Sequence, residues 1–319
     1  DVCSSDLHKH KNMSIKTLLL LLALVASILL TTTTTTNAKP SAAPGGKYFD
    51  RVFIIMFENF GIDDTLKHDY FKALTTNGTL LTQFYAVTHP SQPNYIAQIA
   101  GSFFNVKTDY YVTLNQTNLA DLMEAKGYTW KSYQEDLPRE KECFDGVSYN
   151  NLYYRKHNPF IMFEQIRSDR KRCANIVHSD QLEIDHQNDE LPNLMYYTPN
   201  INNDGHDTGL EYADKYLRNF LPHYLNSARF MKRTLVVVTF DEDDYSGDNR
   251  IYTLLTGSMV KGGVTDNTVY NHYSLTRTIE ENWGLGNMGR NDANATPFQC
   301  FVNNEASKLF QSPDQCSGK

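Results

Sequence analysis

Seven residues, TLVVVTF from Thr234 to Phe240, restrict the fold more than any other stretch of this chain. The run is β-branched and apolar on both faces, so neither side of it can face water. Strands of this kind lie in the middle of parallel sheets whose two faces are covered. RVFIIMF (Arg51–Phe57) has the same character and stops abruptly at Glu58 and Asn59. LLTQFYAV, YTWKSYQE, NLMYYTP and IYTLLTG add strand-length segments, while NLADLMEAKG and HYSLTRTIEENWGL carry helical spacing and end at or near a glycine. A longer helical pattern covers about 208–232, with a break expected at Pro222. Strands and helices therefore alternate, which predicts an α/β fold: a mostly parallel central sheet with helices on both faces. No internal repeat and no second linker divides residues 48–319, so they read as one domain.

The start of the chain has a different logic. Residues 1–12 precede the first methionine, Met13, and read as upstream, non-native sequence. Residues 13–38 read as a signal peptide: Lys16 precedes an apolar core of 13 residues, Leu18–Leu30, and TNA closes the segment at Ala38. That core falls short of the roughly 20 residues that span a bilayer, so stable membrane insertion is not expected. Residues 39–47 read as linker. Export implies an oxidising compartment, and beyond Cys3 four cysteines remain: Cys143, Cys173, Cys300 and Cys316. Two disulfides are expected. Short loops favour Cys143–Cys173 with Cys300–Cys316, although all three pairings remain open at this level. No C-x-x-C spacing supports a zinc site instead. Asn77, Asn115 and Asn294 each begin an N-x-Thr sequon and are expected on the surface as glycosylation sites. A formal net charge of −7 argues against nucleic acid as a partner.

In open α/β sheets ligands bind at the carboxyl ends of the strands. Glu58 and Asn59 end one strand, and Asp241 and Glu242, in VVVTFDEDD, end the most apolar one. Ser91, in HPSQPNYIAQIAG, follows a third strand and opens a helix, where free N–H groups and the macrodipole suit an oxyanion. A serine hydroxyl needs a base or a metal to become a nucleophile. Glu58, Asn59, Asp241 and Glu242, with Ser91, would form an all-oxygen set for one divalent cation, favouring Mg, Ca or Mn over Zn. The acidic run lacks the glycine and closing glutamate of an EF-hand loop. NDGHD supplies Asp204 and His206, RKHNPF supplies His157, and NHYSL supplies His272.

Taken together, IIMFENF, HPSQPNYIAQIAG, RKHNPF, NDGHD, VVVTFDEDD and NHYSLTRTIEENWGL resemble the phosphoesterase family of secreted acid phosphatases and phospholipases C, within the alkaline phosphatase-like superfamily. The resemblance implies metal ligands at Glu58, Asn59, Asp241 and Glu242 and a nucleophile at Ser91, where SQPNY parallels the TFPNH of related nucleotide pyrophosphatases. It implies catalytic roles for His157 and His206 in the phosphate pocket and for His272 as a late metal- or phosphate-facing histidine, with Asn94 and Asp204 binding substrate. Dinuclear relatives carry other residue types at Glu58 or Asn59 and at Glu242, which implies a single metal. A sulfatase pattern would need arginine where Tyr95 stands. The expected activity is a secreted, metal-dependent acid phosphatase acting on phosphomonoesters through a phosphoserine intermediate. The alternatives are a phospholipase C-type phosphodiesterase and a non-catalytic glycoprotein on the same fold. Cationic histidines beside the phosphate would place the optimum at acidic pH.

Overall fold

Thr234–Phe240 is a strand with every residue buried, as its two apolar faces require. The computed structural model that contains it describes residues 45–302, together with the backbone of Cys316–Gly318. The expected upstream segment and signal peptide lie outside the described residues, as does most of the linker. Ala43–Lys319 forms one compact unit.

In chain order the strands are β1 (Arg51–Phe57), β2 (Gly78–Tyr85), β3 (Trp130–Gln134), β4 (Ser148–Tyr149), β5 (Tyr153–Tyr154), β6 (Ile176–His178), β7 (Leu194–Thr198), β8 (Thr234–Phe240), β9 (Thr253–Thr256), β10 (Val264–Asn271) and β11 (Cys316–Gly318). Nine of them form one sheet in the order β11-β10-β2-β9-β8-β1-β7-β3-β6, while β4 and β5 make a separate hairpin. From β8 through β1, β7 and β3 to β6 all pairs are parallel. The sheet is mixed on the other side, because β9 runs antiparallel to both β8 and β2. The loop from β8 to β9 holds no crossover helix, so the chain can only turn back beside the strand it left.

The structure adds elements that the sequence reading did not contain, such as Ile176–His178 and the helix Gln181–Asn188, and two further differences have a clear physical reason. The long helix runs unbroken through Pro222, over Leu210–Leu225, and a new short helix, Ala228–Met231, begins where Ser227 Oγ accepts the Phe230 N–H at 3.3 Å. Pro222 removes only its own N–H, which would donate to the Arg218 carbonyl, and the turn closes beyond it where the Asn226 N–H donates to the Pro222 carbonyl at 3.0 Å. Strand β10 went unrecognised because polar residues occupy inward positions. Its Asp266 is buried and accepts from the Thr268 N–H at 2.9 Å and the Tyr270 hydroxyl at 2.8 Å.

Cys143 and Cys173 are joined in a disulfide across 30 residues. Cys300 is also disulfide-bonded, and the side chain of Cys316 lies outside the described residues. β-Pairing sets the Cys316 backbone opposite Asp266, whose carboxylate accepts the Cys300 N–H at 3.3 Å. Asn77, Asn115 and Asn294 are all exposed. Closing a loop of this length restricts the unfolded chain by about 3–4 kcal/mol. A Cys143→Ser, Cys173→Ser double variant is therefore expected to unfold at clearly lower denaturant, read as a drop in midpoint with a slope that is equal or steeper, because the unfolded chain is freer to expand. An unchanged midpoint would show that the bridge contributes nothing.

Candidate active site

Strands β1 and β8 are parallel neighbours in the register Phe57↔Phe240, so Glu58 and Asp241 leave the sheet side by side. The Asp241 N–H donates to the Phe57 carbonyl at 3.0 Å, and Asp241 Oδ1 accepts from the N–H groups of Asn59 (3.2 Å) and Glu242 (2.7 Å). Asn59 takes the left-handed conformation, φ 58°, which asparagine tolerates better than most residues. After β7 the chain returns to the same edge. The Glu58 N–H donates to the Asp204 carbonyl at 3.1 Å, and Asp204 Oδ1 accepts the His206 N–H at 2.9 Å.

From β2 the chain passes through 86–90 into the helix Ser91–Ala100. Asn94 anchors that passage: its Oδ1 accepts the Val87 and Thr88 N–H groups at 3.0 and 3.2 Å, and its amide donates to the Thr88 carbonyl at 2.7 Å. The same amide lies 3.3 Å from Glu242 Oε2, so Asn94 holds the loop and a carboxylate together. Asp109 takes the Gln92 N–H at 2.9 Å, occupying one of the amides at the helix start.

Ser91 is thus delivered between two buried acids. Its Oγ lies 3.1 Å from Glu58 Oε2 and 3.2 Å from Glu242 Oε1, one hydroxyl proton facing two acceptors. The Tyr95 hydroxyl donates to Glu58 Oε1. The His157 ring stacks on Tyr95 at 5.3 Å, with Nε2 3.3 Å from Glu58 Oε2 and Nδ1 3.6 Å from Asp204 Oδ2.

Four carboxylates, those of Glu58, Asp204, Asp241 and Glu242, are therefore held out of water around one point. Burial is the main cause that raises each one's pKa, to about 6 for Asp241 and about 9 for Glu242, and repulsion from Asp241 adds to the effect in the other three. Asn59 Oδ1, Asp204 Oδ2, Asp241 Oδ2 and His157 Nε2 are buried with no hydrogen-bond partner. Donor atoms of Glu58, His157 and Asp204 also lie within 4.8 Å of one another. Clustered anionic oxygens and orphaned lone pairs are what a divalent cation satisfies, so the residues present fit a metal. The geometry widens the expected ligand set by bringing in His157 and Asp204. A nitrogen donor among the oxygens makes Mn or Zn as suitable as Mg or Ca.

The other histidines separate. His206 is partly exposed at the rim, with Nδ1 2.6 Å from Asp207 Oδ1 and Nε2 3.5 Å from Lys156 Nζ. His272 is fully buried beneath the site, with Nε2 donating to the Asp241 carbonyl at 2.6 Å and Nδ1 3.1 Å from the Gln98 amide. Both ring nitrogens are engaged within the protein, so His272 orients Asp241 and does not face a phosphate. Burial lowers the pKa of His272 to about 4 and that of His157 well below the usual value, Lys156 adding to the second shift. Burial thus works against a positive charge on either ring. This removes the reason given by these two rings for an acidic optimum.

The cation beside the cluster is Lys156. Its ammonium lies 3.0 Å from Asp109 Oδ2, and although burial works against the charge, Glu58, Asp109 and Asp241 hold its pKa above the ordinary value. His89 also escaped the sequence reading. Its Nδ1 is 2.7 Å and its Nε2 3.2 Å from the carboxylates of Glu242 and Asp243, and its ring stacks on Tyr245 at 3.8 Å. The available signals were adjacency alone: Lys156 precedes His157, and His89 lies two residues before Ser91.

This site geometry coincides with independent likeness. The model of the phosphoesterase family matches residues 64–286, and the chain belongs to that family. The probable acid phosphatase of Kluyveromyces lactis is 36% identical over 270 residues, covering 81% of this chain and 64% of the relative. This chain therefore spans just under two thirds of that relative's length. The phosphatidylinositol-3-phosphatase of Mycobacterium tuberculosis is 32% identical over 247 residues, covering 76% of this chain and 79% of the relative. A crystal structure of a protein in the alkaline phosphatase superfamily from Vibrio parahaemolyticus shares the fold, with a TM-score of 0.54 at 14% identity over 78% of this chain and 71% of that one.

Proposed function

We propose that this chain is a metal-dependent acid phosphatase that hydrolyses phosphomonoesters, with Ser91 as nucleophile. The observation that carries the reading is the Ser91 hydroxyl at a helix start, 3.1 and 3.2 Å from two buried carboxylates. Ser91 Oγ bonds to phosphorus as the bond from phosphorus to the ester oxygen breaks, and the hydroxyl proton passes to Glu242 in its ionised form, the form a bound cation would favour. The leaving oxygen takes a proton from solvent at the open side of the site. Water then attacks the phosphoserine and gives up a proton to solvent, while the proton held by Glu242 returns to the Ser91 oxygen as phosphate leaves. Lys156, with His206 beside it, faces the dianionic phosphoryl group. A divalent cation held by Glu58, Asn59, His157, Asp204, Asp241 and Glu242 would supply charge that offsets the carboxylates and the charge developing at phosphorus.

The test is acid quenching of the working enzyme followed by peptide mass spectrometry. Phosphate is expected on the peptide containing Ser91; turnover with no labelled Ser91 would overturn the covalent route. Lys156→Met is expected to raise KM for small phosphomonoesters by about ten- to a hundredfold, an interaction energy of about 1.4–2.7 kcal/mol. An unchanged KM would take Lys156 out of substrate binding.

A second reading concerns the ester arm. Tyr110 and Tyr245 are 80% and 68% exposed, and each is tied to the site region, Tyr110 through its carbonyl to the Gln92 amide and Tyr245 through His89. Such a rim suits an aryl or lipid-borne phosphate. Small phosphomonoesters are nevertheless expected to be at least about tenfold better in kcat/KM than phosphatidylcholine, because the dianion gains more from Lys156 than a diester does. Preference for the phospholipid would move the assignment to phospholipase C. Export with cleavage near Ala38 belongs to the same proposal, and N-terminal sequencing of protein from the culture medium tests it.

A further inference from the structure

Away from the catalytic edge, two helices on one face of the sheet bring together a second group of donors. The helix Gln181–Asn188 carries Glu183 and His186 one turn apart, and the last turn of Leu210–Leu225 carries His223. His223 Nε2 lies 2.8 Å and His186 Nδ1 3.5 Å from the same oxygen, Glu183 Oε2. All three donor atoms lie within 4.8 Å of one another. Each helix begins near the carboxyl edge of the sheet and leads toward the amino end of the next strand, β7 or β8. Glu183, His186 and His223 therefore sit toward the opposite edge from Ser91.

His186 makes this more than a surface ion pair. Its Nε2 lies 2.8 Å from Ser227 Oγ, the oxygen that caps the following helix, and its ring is packed against Tyr224 and Phe230. Its Nδ1 is buried with no hydrogen-bond partner, although its side chain as a whole is 12% exposed. In the tautomer that directs Nε2–H at Ser227, Nδ1 presents a lone pair to a carboxylate oxygen. Two lone pairs at that separation repel unless a cation lies between them. Glu183 is itself braced, since its other oxygen accepts the Gln187 amide at 2.7 Å. Ligand contacts of ~2.0–2.2 Å put neighbouring donors ~3.2–3.5 Å apart in a tetrahedral site. The shortest pair, at 2.8 Å, needs to separate by ~0.4–0.7 Å to reach that spacing. His223 is mostly exposed, which leaves the fourth position to water.

We propose that Glu183, His186 and His223 form a second, structural cation site, taking zinc or a similar borderline divalent ion and pinning the two helices together. Two imidazoles and one carboxylate select such an ion over Mg or Ca. The bound ion replaces an unpaired buried nitrogen with a bond across two elements distant in sequence, so it stabilises the folded chain without touching phosphate chemistry.

The test is zinc equilibrium dialysis on the full chain, with metal counted per chain, for wild type, His223→Ala and Glu183→Gln. Wild type is expected to hold one more equivalent than either variant at low-micromolar free zinc, with affinity at that site weakened by ~100-fold or more in the variants. Zinc is expected to raise the wild-type melting temperature more than that of either variant, and p-nitrophenyl phosphate turnover should be the same in all three. Equal zinc counts in wild type and both variants would overturn the site. So would the loss of an equivalent accompanied by proportional loss of turnover, which would place that ion at the catalytic cluster.

Discussion

Replacing Ser91 by alanine is expected to lower the turnover of p-nitrophenyl phosphate by ~10³-fold or more, about 4 kcal/mol of transition-state stabilisation. The folded state should barely notice. The Ser91 hydroxyl faces Glu58 and Glu242, and its loss removes one shared donor, worth about 1 kcal/mol. The helix start is kept by other contacts: Asp109 accepts the Gln92 N–H, and Asn94 ties the preceding loop. Activity and stability therefore separate cleanly in this variant. Residual turnover within tenfold of wild type, with an unchanged melting temperature, would remove Ser91 from the chemistry and with it the phosphoserine route.

The second large effect concerns metal and pH together. Asp241 and Glu242 have folded-state pKa values raised to about 6 and about 9, mainly by burial, and Glu58 and Asp204 are raised in the same direction. An acid raised on folding holds its proton in the folded chain after the unfolded chain has released it. Between the two pKa values the folded state binds more protons, so stability falls as pH rises. For Asp241 the window runs from about 4 to about 6, and Glu242 extends it toward 9. Each unit of difference amounts to about 1.4 kcal/mol. In chelator the protein is therefore expected to melt at a markedly higher temperature at pH 5 than at pH 8. A divalent cation should restore most of the difference, acting more strongly at pH 8, where fewer protons compete with it for the carboxylates. Parallel pH profiles with and without metal would show that the cluster does not hold the ion. Activity lost in chelator should return with the same ion that restores stability.

Much of the sheet was legible in the chain because its central strands are apolar on both faces, and their short length and β-branched residues favour a strand over a buried helix. Arg51–Phe57 and Thr234–Phe240 occur with the expected bounds. Strand β10 was hidden because Asp266 and Thr268 are satisfied by partners that only the folded chain supplies. The antiparallel course of β9 depends on a loop length, which apolar pattern does not encode.

The same division runs through the site. Sequence by itself determined which residues end the strands: Glu58 and Asn59 after β1, Asp241 and Glu242 after β8, and Ser91 at a helix start. These placements follow from local periodicity, and strand ends are where an α/β sheet opens to ligands. Tertiary structure alone decided what each histidine does. His157 joins Glu58 and Asp204, His206 stays at the rim, and His272 is buried under Asp241. It also recruited Lys156, His89 and Tyr95, and it assembled the Glu183, His186 and His223 group from two helices. The physical reason is that the charge state of an imidazole or carboxylate is set by burial and by neighbours far away in sequence. The type of residue is local, but the solvent it loses and the partner it gains are properties of the fold.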